Sequence, residues 1–323
     1  MKTPIPRLEV VKDEKIKKEL NNRLVCDITQ RNYEVFSLSY FTDRGGELEK
    51  IFKEQDLVLQ YYKPYYLSEY TIPNIFSIIN EHKLYYLDGL KLKERNGVNS
   101  IKLLHVLDYS VEYEGTMFCL LEGKWASLNQ SFLKYIENQI EHVNSFTLIN
   151  EDYNLTNDKV EIGRGIIADS EEYDDVEYEE YPFNVYLAEE KNLKLLDRIT
   201  VKGEFPNIEF ADLYFPESQS LMHVKIGSTS NLRACIAQSE NSLIAFSQNP
   251  KIKESIEIGD VKEISMLFVV STKNMFVDNS IDFNKSKSLN FKIELVNWYK
   301  SVINQNYIPK VIVSKNFYTK NEN

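Results

Sequence analysis

Cysteine and histidine are scarce. Cys26, Cys119 and Cys235 lie about a hundred positions apart in the 323 residues. That spacing rules out CxxC pairs and zinc-knuckle arrangements and gives no basis for a disulfide framework, so it points to a reducing cytosol. The four histidines (His82, His105, His142 and His223) are too scattered for a His-rich metal site. Long apolar runs are missing as well. The longest, such as Met266–Val270, reach about five residues, against the ~20 needed to cross a bilayer. Met1 to Asn21 is mixed in charge and lacks the apolar stretch of a signal peptide. The expectation is a soluble, cytoplasmic protein with no membrane span. Positive charge is in the minority: 38 Lys and Arg face 49 Asp and Glu, a net charge of −11. This disfavours a uniformly basic nucleic-acid binder and leaves room for a local basic cleft. GxGxxG, GxxxxGK[ST], HExxH, GxSxG and HRD patterns are all absent, so no dinucleotide fingerprint, P-loop or familiar hydrolase motif is present.

What is there suits a folded chain of about two domains. Hydrophobic residues make up 43% and aromatics 12%, enough for a sizeable core and too much for general disorder. The first 25 residues read as a solvated helix or arm, and Leu24–Tyr40 as a strand by its alternation. Residues 43–46 read as a turn, and Glu47–Leu59 as a short helix. Tyr61, Tyr62, Tyr65 and Tyr66 surround Pro64; such a patch suits an aromatic core or interface, and it can also stack nucleobases. Strands are predicted at Leu84–Leu87, Ile101–Val106 and Thr116–Leu121, and a helix over Asn129–Ile140. Residues 169–181 carry eight acids in thirteen positions. This block reads as a solvated loop, with a metal trap or a mimic of nucleic-acid charge as the sharper alternatives.

The informative stretch is 207–246. Ile208–Phe215 and Leu221–Ile226 alternate as strands around the turn chemistry of Pro216–Ser220, and so predict a hairpin. Asn231–Phe246 follows with helical spacing. Then come a strand at Ile264–Val270, a helix around Ile293–Gln305 with a stripe of Leu295, Trp298, Val302 and Ile303, and a strand at Tyr307–Val313. Together these predict an α/β (α+β) fold with a mixed sheet flanked by helices.

Asp212 lies on the first strand of that hairpin, and His223 and Lys225 on the second. Residues i and i+2 share a strand face, so His223 and Lys225 project together, and closure of the hairpin brings Asp212 toward both. A carboxylate, a second metal-competent ligand and a lysine are the working group of a metal-dependent phosphodiesterase. The ligands hold Mg²⁺ or Mn²⁺, and the lysine orients water or stabilises charge. The plainer reading is a lysine at a sheet edge beside a hydrogen-bonded histidine.

The Asp–x(10)–His–x–Lys pattern resembles the PD-(D/E)XK motif of restriction-endonuclease-like nucleases, with His223 in place of the usual acid. The resemblance implies a further acid from the preceding helix and a Gln from the helix after the lysine strand; Glu180 and Gln238 stand at those positions. An imidazole ligand favours Mn²⁺ or a softer metal over Mg²⁺. Further blocks occur in order. They are Phe118–Ile136 (FCLLEGKWASLNQSFLKYI), Glu180–Asn184 (EYPFN), Leu196–Arg198 (LDR), Ile208–Leu213 (IEFADL), Leu221–Lys225 (LMHVK) and the closing Leu289–Val313. Across residues 116–313 they resemble an uncharacterised, sporadically distributed bacterial family found near restriction and phage-defence genes. Residues 1–115 lie outside that resemblance.

The resulting expectation is a bacterial anti-phage defence protein. Residues 1–115 form a smaller α+β recognition or assembly module, and residues 116–323 a restriction-endonuclease-like domain carrying the acidic loop 169–181. Asp212, Glu180 and His223 are the expected metal ligands. Asp212, His223, Lys225 and Gln238 are the expected catalytic group, with Glu209 ranked below them because it faces the other side of a regular strand. The implied partners are nucleic acid (DNA ahead of RNA), a protein of the same defence system and a second copy of the chain. Two other readings stand beside the nuclease: a non-catalytic nucleic-acid-binding sensor that keeps the fold, and a structural subunit of a multi-protein complex.

Overall fold

The computed structural model describes residues 8–38, 57–68, 70–95, 100–170, 173, 176, 178–198, 210–249, 252–271 and 274–319. Glu209, the turn at 43–46 and most of the helix expected at 47–59 lie outside them. The fold is α+β. It divides into two compact units, Met1–Glu137 with Lys287–Asn290, and Asn138–Ser286 with Phe291–Asn323.

The first unit has two antiparallel sheets. One runs β1-β9-β8-β7-β2, built from β1 (Leu8–Val10), β2 (Phe36–Leu38), β7 (Leu107–Tyr113), β8 (Thr116–Leu121) and β9 (Lys124–Leu128). The other runs β4-β3-β5-β6, from β3 (Leu57–Gln60), β4 (Pro64–Tyr66), β5 (Lys91–Glu94) and β6 (Ser100–Lys102). This unit therefore takes in β8 and β9, which the sequence grouped with the second section. Helix α1 (Glu14–Thr29) starts where the Asp13 carboxylate accepts from the Lys15 N–H at 2.7 Å and the Ile16 N–H at 3.3 Å. Leu20, Leu24 and Ile28 give it a buried i, i+4, i+8 stripe. The strand expected from Leu24 is thus helical as far as Thr29, and among the described residues of that stretch only Phe36–Leu38 is a strand. Helix α2 (Ile72–Glu81) buries Ile75, Phe76 and Ile79 in the same core, and α3 (Gln130–Ser145) follows β9 in the chain.

The second unit is a six-stranded mixed sheet in the order β10-β17-β14-β13-β12-β11. Its strands are β10 (Thr147–Ile149), β11 (Lys194–Leu195), β12 (Leu213–Phe215), β13 (Ser220–Ile226), β14 (Glu263–Val270) and β17 (Ile308–Lys315), with a small hairpin of β15 (Phe276–Val277) and β16 (Ser280–Ile281) between the last two. β12 and β13 pair antiparallel through the expected hairpin, whereas β13, β14, β17 and β10 run parallel. Parallel neighbours need crossovers. Helix α6 (Thr229–Gln248) lies between β13 and β14 in the chain, and α7 (Leu289–Asn304) between β14 and β17. β14 is buried at all but its first residue, as a strand covered on both faces requires, and this accounts for its unbroken apolar run. Met222, Val224 and Ile226 of β13 pack with Val160 of α4 (Asn157–Ala168) and with Phe183 and Leu187 of α5 (Glu180–Glu190). The helices α4 and α5 cross closely at Gly163, where a Cβ would collide with the Pro182 carbonyl oxygen. On α7, Leu295, Trp298 and Val302 are fully buried, whereas Ile303 is exposed. No helix among the described residues is long and apolar enough to cross a membrane.

Candidate functional site

Asp212 occupies a bend immediately before β12 and is not itself in the strand. Its N–H donates to Met222 O (3.0 Å), and its carbonyl accepts from the N–H groups of Leu196 (2.8 Å) and Asp197 (3.0 Å). Its Oδ2 accepts from the Val224 N–H at 2.6 Å. Two of these bonds, to Met222 and Val224, tie Asp212 to the second strand of the hairpin, the latter through its carboxylate, and only 7% of the residue is exposed.

Lys225, near the end of β13, donates through Nζ to Glu180 Oε1 at 2.6 Å. The other oxygen of Glu180 accepts from the Ile226 N–H at 3.0 Å. Glu180 is the first residue of α5, where the helix dipole favours a negative charge. Burial alone pulls the lysine toward neutrality, but the charges of Glu180 and Asp212 outweigh it and hold Lys225 well above the ordinary lysine range. It is a fixed cation at any physiological pH and so cannot serve as a general base.

His223 behaves differently from its neighbour two residues on. It is 1% exposed, and its Nε2 lies 3.2 Å from Ser242 Oγ on α6. Burial, with a smaller contribution from Lys225, pushes its pKa down to about 3, so the ring is neutral. The two side chains share a strand face, as alternation predicts, but His223 lies beneath α6 and does not line the cavity that Lys225 reaches.

That cavity, of about 410 Å³, is lined by Glu180, Asp197, Arg198, Asp212, Lys225 and Gln238, among others. Four of the five residues picked from the sequence as catalytic or metal-binding therefore meet at one place, and His223 is the one that does not. Asp197 and Arg198 stand outside the expected catalytic and metal-binding sets and belong to the LDR block of the resemblance. Asp197 Oδ2 accepts from Asn184 Nδ2 at 2.7 Å, and Asn184 is fully buried on α5. Arg198 has a left-handed backbone (φ 67°), with its guanidinium 5.7 Å from the Tyr181 ring and 3.4 Å from the Tyr178 hydroxyl. The LDR block, which contains this charged pair, is the signal in the sequence that points to them. The acidic block also resolves into parts here. Its last acid, Glu180, is an ordered site residue rather than part of a solvated loop, whereas residues 171, 172, 174, 175 and 177 lie outside the described set.

Glu180, Asp197 and Asp212 supply hard carboxylate oxygens around one cavity. Among the described residues no group of three His, Cys, Asp or Glu is arranged to hold a metal by itself. Mg²⁺ does not need such a cage, because it keeps several waters and takes one or two carboxylates plus substrate phosphate. With imidazole absent from the lining, the oxygen set suits Mg²⁺ as well as Mn²⁺.

A family model spanning residues 3–273 matches the chain. The chain belongs to DUF6119, a family of unknown function. The match to DUF6119 takes in both the β12–β13 hairpin and α6, and so covers every residue named at the cavity. No curated protein and no solved structure matches the chain.

Proposed function

We propose that the second unit is a metal-dependent nuclease of a cytoplasmic bacterial defence system, hydrolysing nucleic-acid phosphodiesters in the Glu180–Asp212–Lys225 cavity. The observation that carries this reading is the convergence of four side chains on one cavity: the acid of the preceding helix, the aspartate before β12, the lysine of β13 and Gln238 of α6. This is the set implied by resemblance to restriction-endonuclease-like enzymes. Asp212 and Glu180 are the residues that would hold Mg²⁺ or Mn²⁺. When bound, the cation polarises the phosphate and lowers the pKa of a coordinated water.

The chain's own residues do the rest. Lys225, permanently protonated, offers positive charge to a phosphate as negative charge builds on it. Its contact with Glu180 keeps the ammonium aimed at the cavity before substrate arrives, so little reorganisation is needed. Arg198, seated on Tyr181 at the exposed rim, supplies a bidentate fork for an adjacent phosphate. Gln238 offers an amide that can both donate to and accept from water or phosphate. Incubation of plasmid DNA and of RNA with Mg²⁺ or Mn²⁺, beside Lys225→Ala, tests the reading. Cleavage that vanishes in the variant supports it, and cleavage undiminished by the variant removes it.

One observation favours a second reading, a non-catalytic nucleic-acid-binding subunit. His223, in the position of the usual second acid, is buried away from the cavity, which leaves the lysine strand without an acidic ligand. In that case wild-type protein cleaves nothing at any metal concentration. Binding to nucleic acid is weakened by Lys225→Ala equally across sequences and falls steeply with salt.

A further inference from the structure

The aromatic patch of the first unit takes a definite form in the β4-β3-β5-β6 sheet. The register sets Val58 opposite Tyr66 and Lys93, and Gln60 opposite Pro64 and Lys91, while Lys102 stands opposite Lys91. Side chains opposite one another share a sheet face, so Tyr66, Lys91, Lys93 and Lys102 lie on one side of the sheet. The alternate residues Leu59 and Leu92 point the other way and are fully buried in the core. The basic face therefore looks outward, with Tyr66 62% exposed and the Arg95 guanidinium 4.9 Å from its ring centroid.

At the β3–β4 tip the aromatics continue. Tyr62 is 89% exposed and Tyr86 65%, and both rings are set edge-on to Tyr61, at 4.3 and 6.5 Å. Tyr61 is itself seated: a Cβ at Gly89 would fall 2.5 Å from its ring. Two exposed tyrosines braced by a third, at the end of the sheet where Gln60 pairs with Lys91 and in a chain whose net charge is −11, are not explained by core packing. Among the described residues, none of Lys91, Lys93 and Lys102 is in an ion pair.

We propose that this tip and face bind single-stranded nucleic acid, with bases stacked on Tyr62 and Tyr86 and phosphates held by Lys91, Lys93 and Lys102. Open aromatic rings with interleaved cations are the chemistry that unpaired bases and their backbone recognise. A duplex hides its base faces and offers only its charge. The inference does not rest on the cavity of the second unit.

The test is fluorescence anisotropy with the full chain in EDTA, where metal-dependent chemistry cannot act, using single-stranded DNA, single-stranded RNA and duplex DNA of equal length. Both or either single strand should bind more tightly than the duplex, and the comparison of DNA with RNA identifies the source of the ligand. Tyr62→Ala and Tyr86→Ala should each weaken binding by about 5- to 100-fold, and Tyr62→Phe should not. The double substitution Lys91→Ala with Lys93→Ala should lower the slope of log affinity against log salt by about 1.4, at ~0.7 per phosphate contact. The proposal is overturned if single strands bind no better than duplex or if both tyrosine variants bind as wild type does. It is also overturned if the tyrosines are needed only for a protein partner. None of these results would touch the cleavage assay, so failure here leaves the nuclease reading intact.

Discussion

The cavity of the second unit and the tyrosine face of the first use the same kinds of group in opposite ways. In the cavity the central cation is half-buried and bonded to a carboxylate: the side chains of Lys225 and Glu180 are 23% and 17% exposed. On the face, Tyr62 and Tyr86 are open to solvent, and the neighbouring lysines have no counter-ion among the described residues. Burying a pair of charges contributes little net stability, because desolvation offsets the attraction, but it fixes geometry. Leaving cations open gives no geometry; it gives affinity that salt can tune. One arrangement suits a step in which a charge must stand at a set place, the other the holding of a flexible polyanion.

The comparison can be broken most severely at Lys225. Lys225→Ala should abolish cleavage, a loss of about 10²–10³-fold or more on the scale of removing one charge-stabilising donor. It also leaves the half-buried Glu180 without its cation, at a cost of about 2 kcal/mol in urea unfolding. Glu180→Gln should lower cleavage as well, because it removes a metal ligand, while its amide oxygen can still accept the Ile226 N–H. Next in size is Gly163→Ala, at a residue that does not itself line the cavity. The added methyl meets the Pro182 carbonyl and should force α4 from α5 despite the better helix propensity of Ala. A loss of about 2–3 kcal/mol is expected by thermal or urea unfolding, with reduced cleavage because α5 carries Glu180.

His223 sharpens the contrast between neighbours on one strand. Its folded pKa of about 3 lies below the unfolded value near 6.5, so between these pH values the unfolded chain binds the extra proton. Stability from this group is therefore full above pH 6.5 and declines as pH falls. It should be about 2 kcal/mol lower at pH 5 than at pH 7. His223→Gln should flatten that part of the stability–pH curve while leaving cleavage at neutral pH largely intact; equal curves would show that the ring is not buried neutral. The smallest effect belongs to the rim. Arg198→Ala should raise KM for nucleic acid by about tenfold and change kcat little, since this guanidinium is assigned to positioning the strand.

Much of the second unit was legible because its elements have one dominant period each. The β12–β13 hairpin, α6, β14, α7 and β17 all follow from alternation, helical spacing and turn residues; all lie near the expected bounds except β12, which among the described residues is a strand only from Leu213. Legibility failed where tertiary context decided. Leu24–Thr29 looks like a strand, but Leu24 and Ile28 extend the buried stripe that begins at Leu20, so the helix continues. Leu84–Leu87 looks apolar enough for a strand, yet Tyr85 and Tyr86 face solvent and no ladder forms. At the site, i and i+2 on β13 correctly put His223 and Lys225 on one face. What the spacing could not supply was α6 above that face, whose Ser242, nineteen positions on, takes the ring. Asp197 entered through a backbone bond to Asp212 and a side-chain bond from Asn184, neither of which leaves a trace in local pattern.

The most direct test of the central claim is single-turnover cleavage of labelled DNA and RNA while Mg²⁺ is titrated, comparing wild type with Asp212→Asn. The amide oxygen can still accept the Val224 N–H, so the hairpin is kept and only the charge is removed. A nuclease acting at this cavity predicts a rate that saturates with Mg²⁺ in wild type and falls at least a hundredfold in the variant. Equal rates in the two proteins, or cleavage that persists in EDTA, would contradict it.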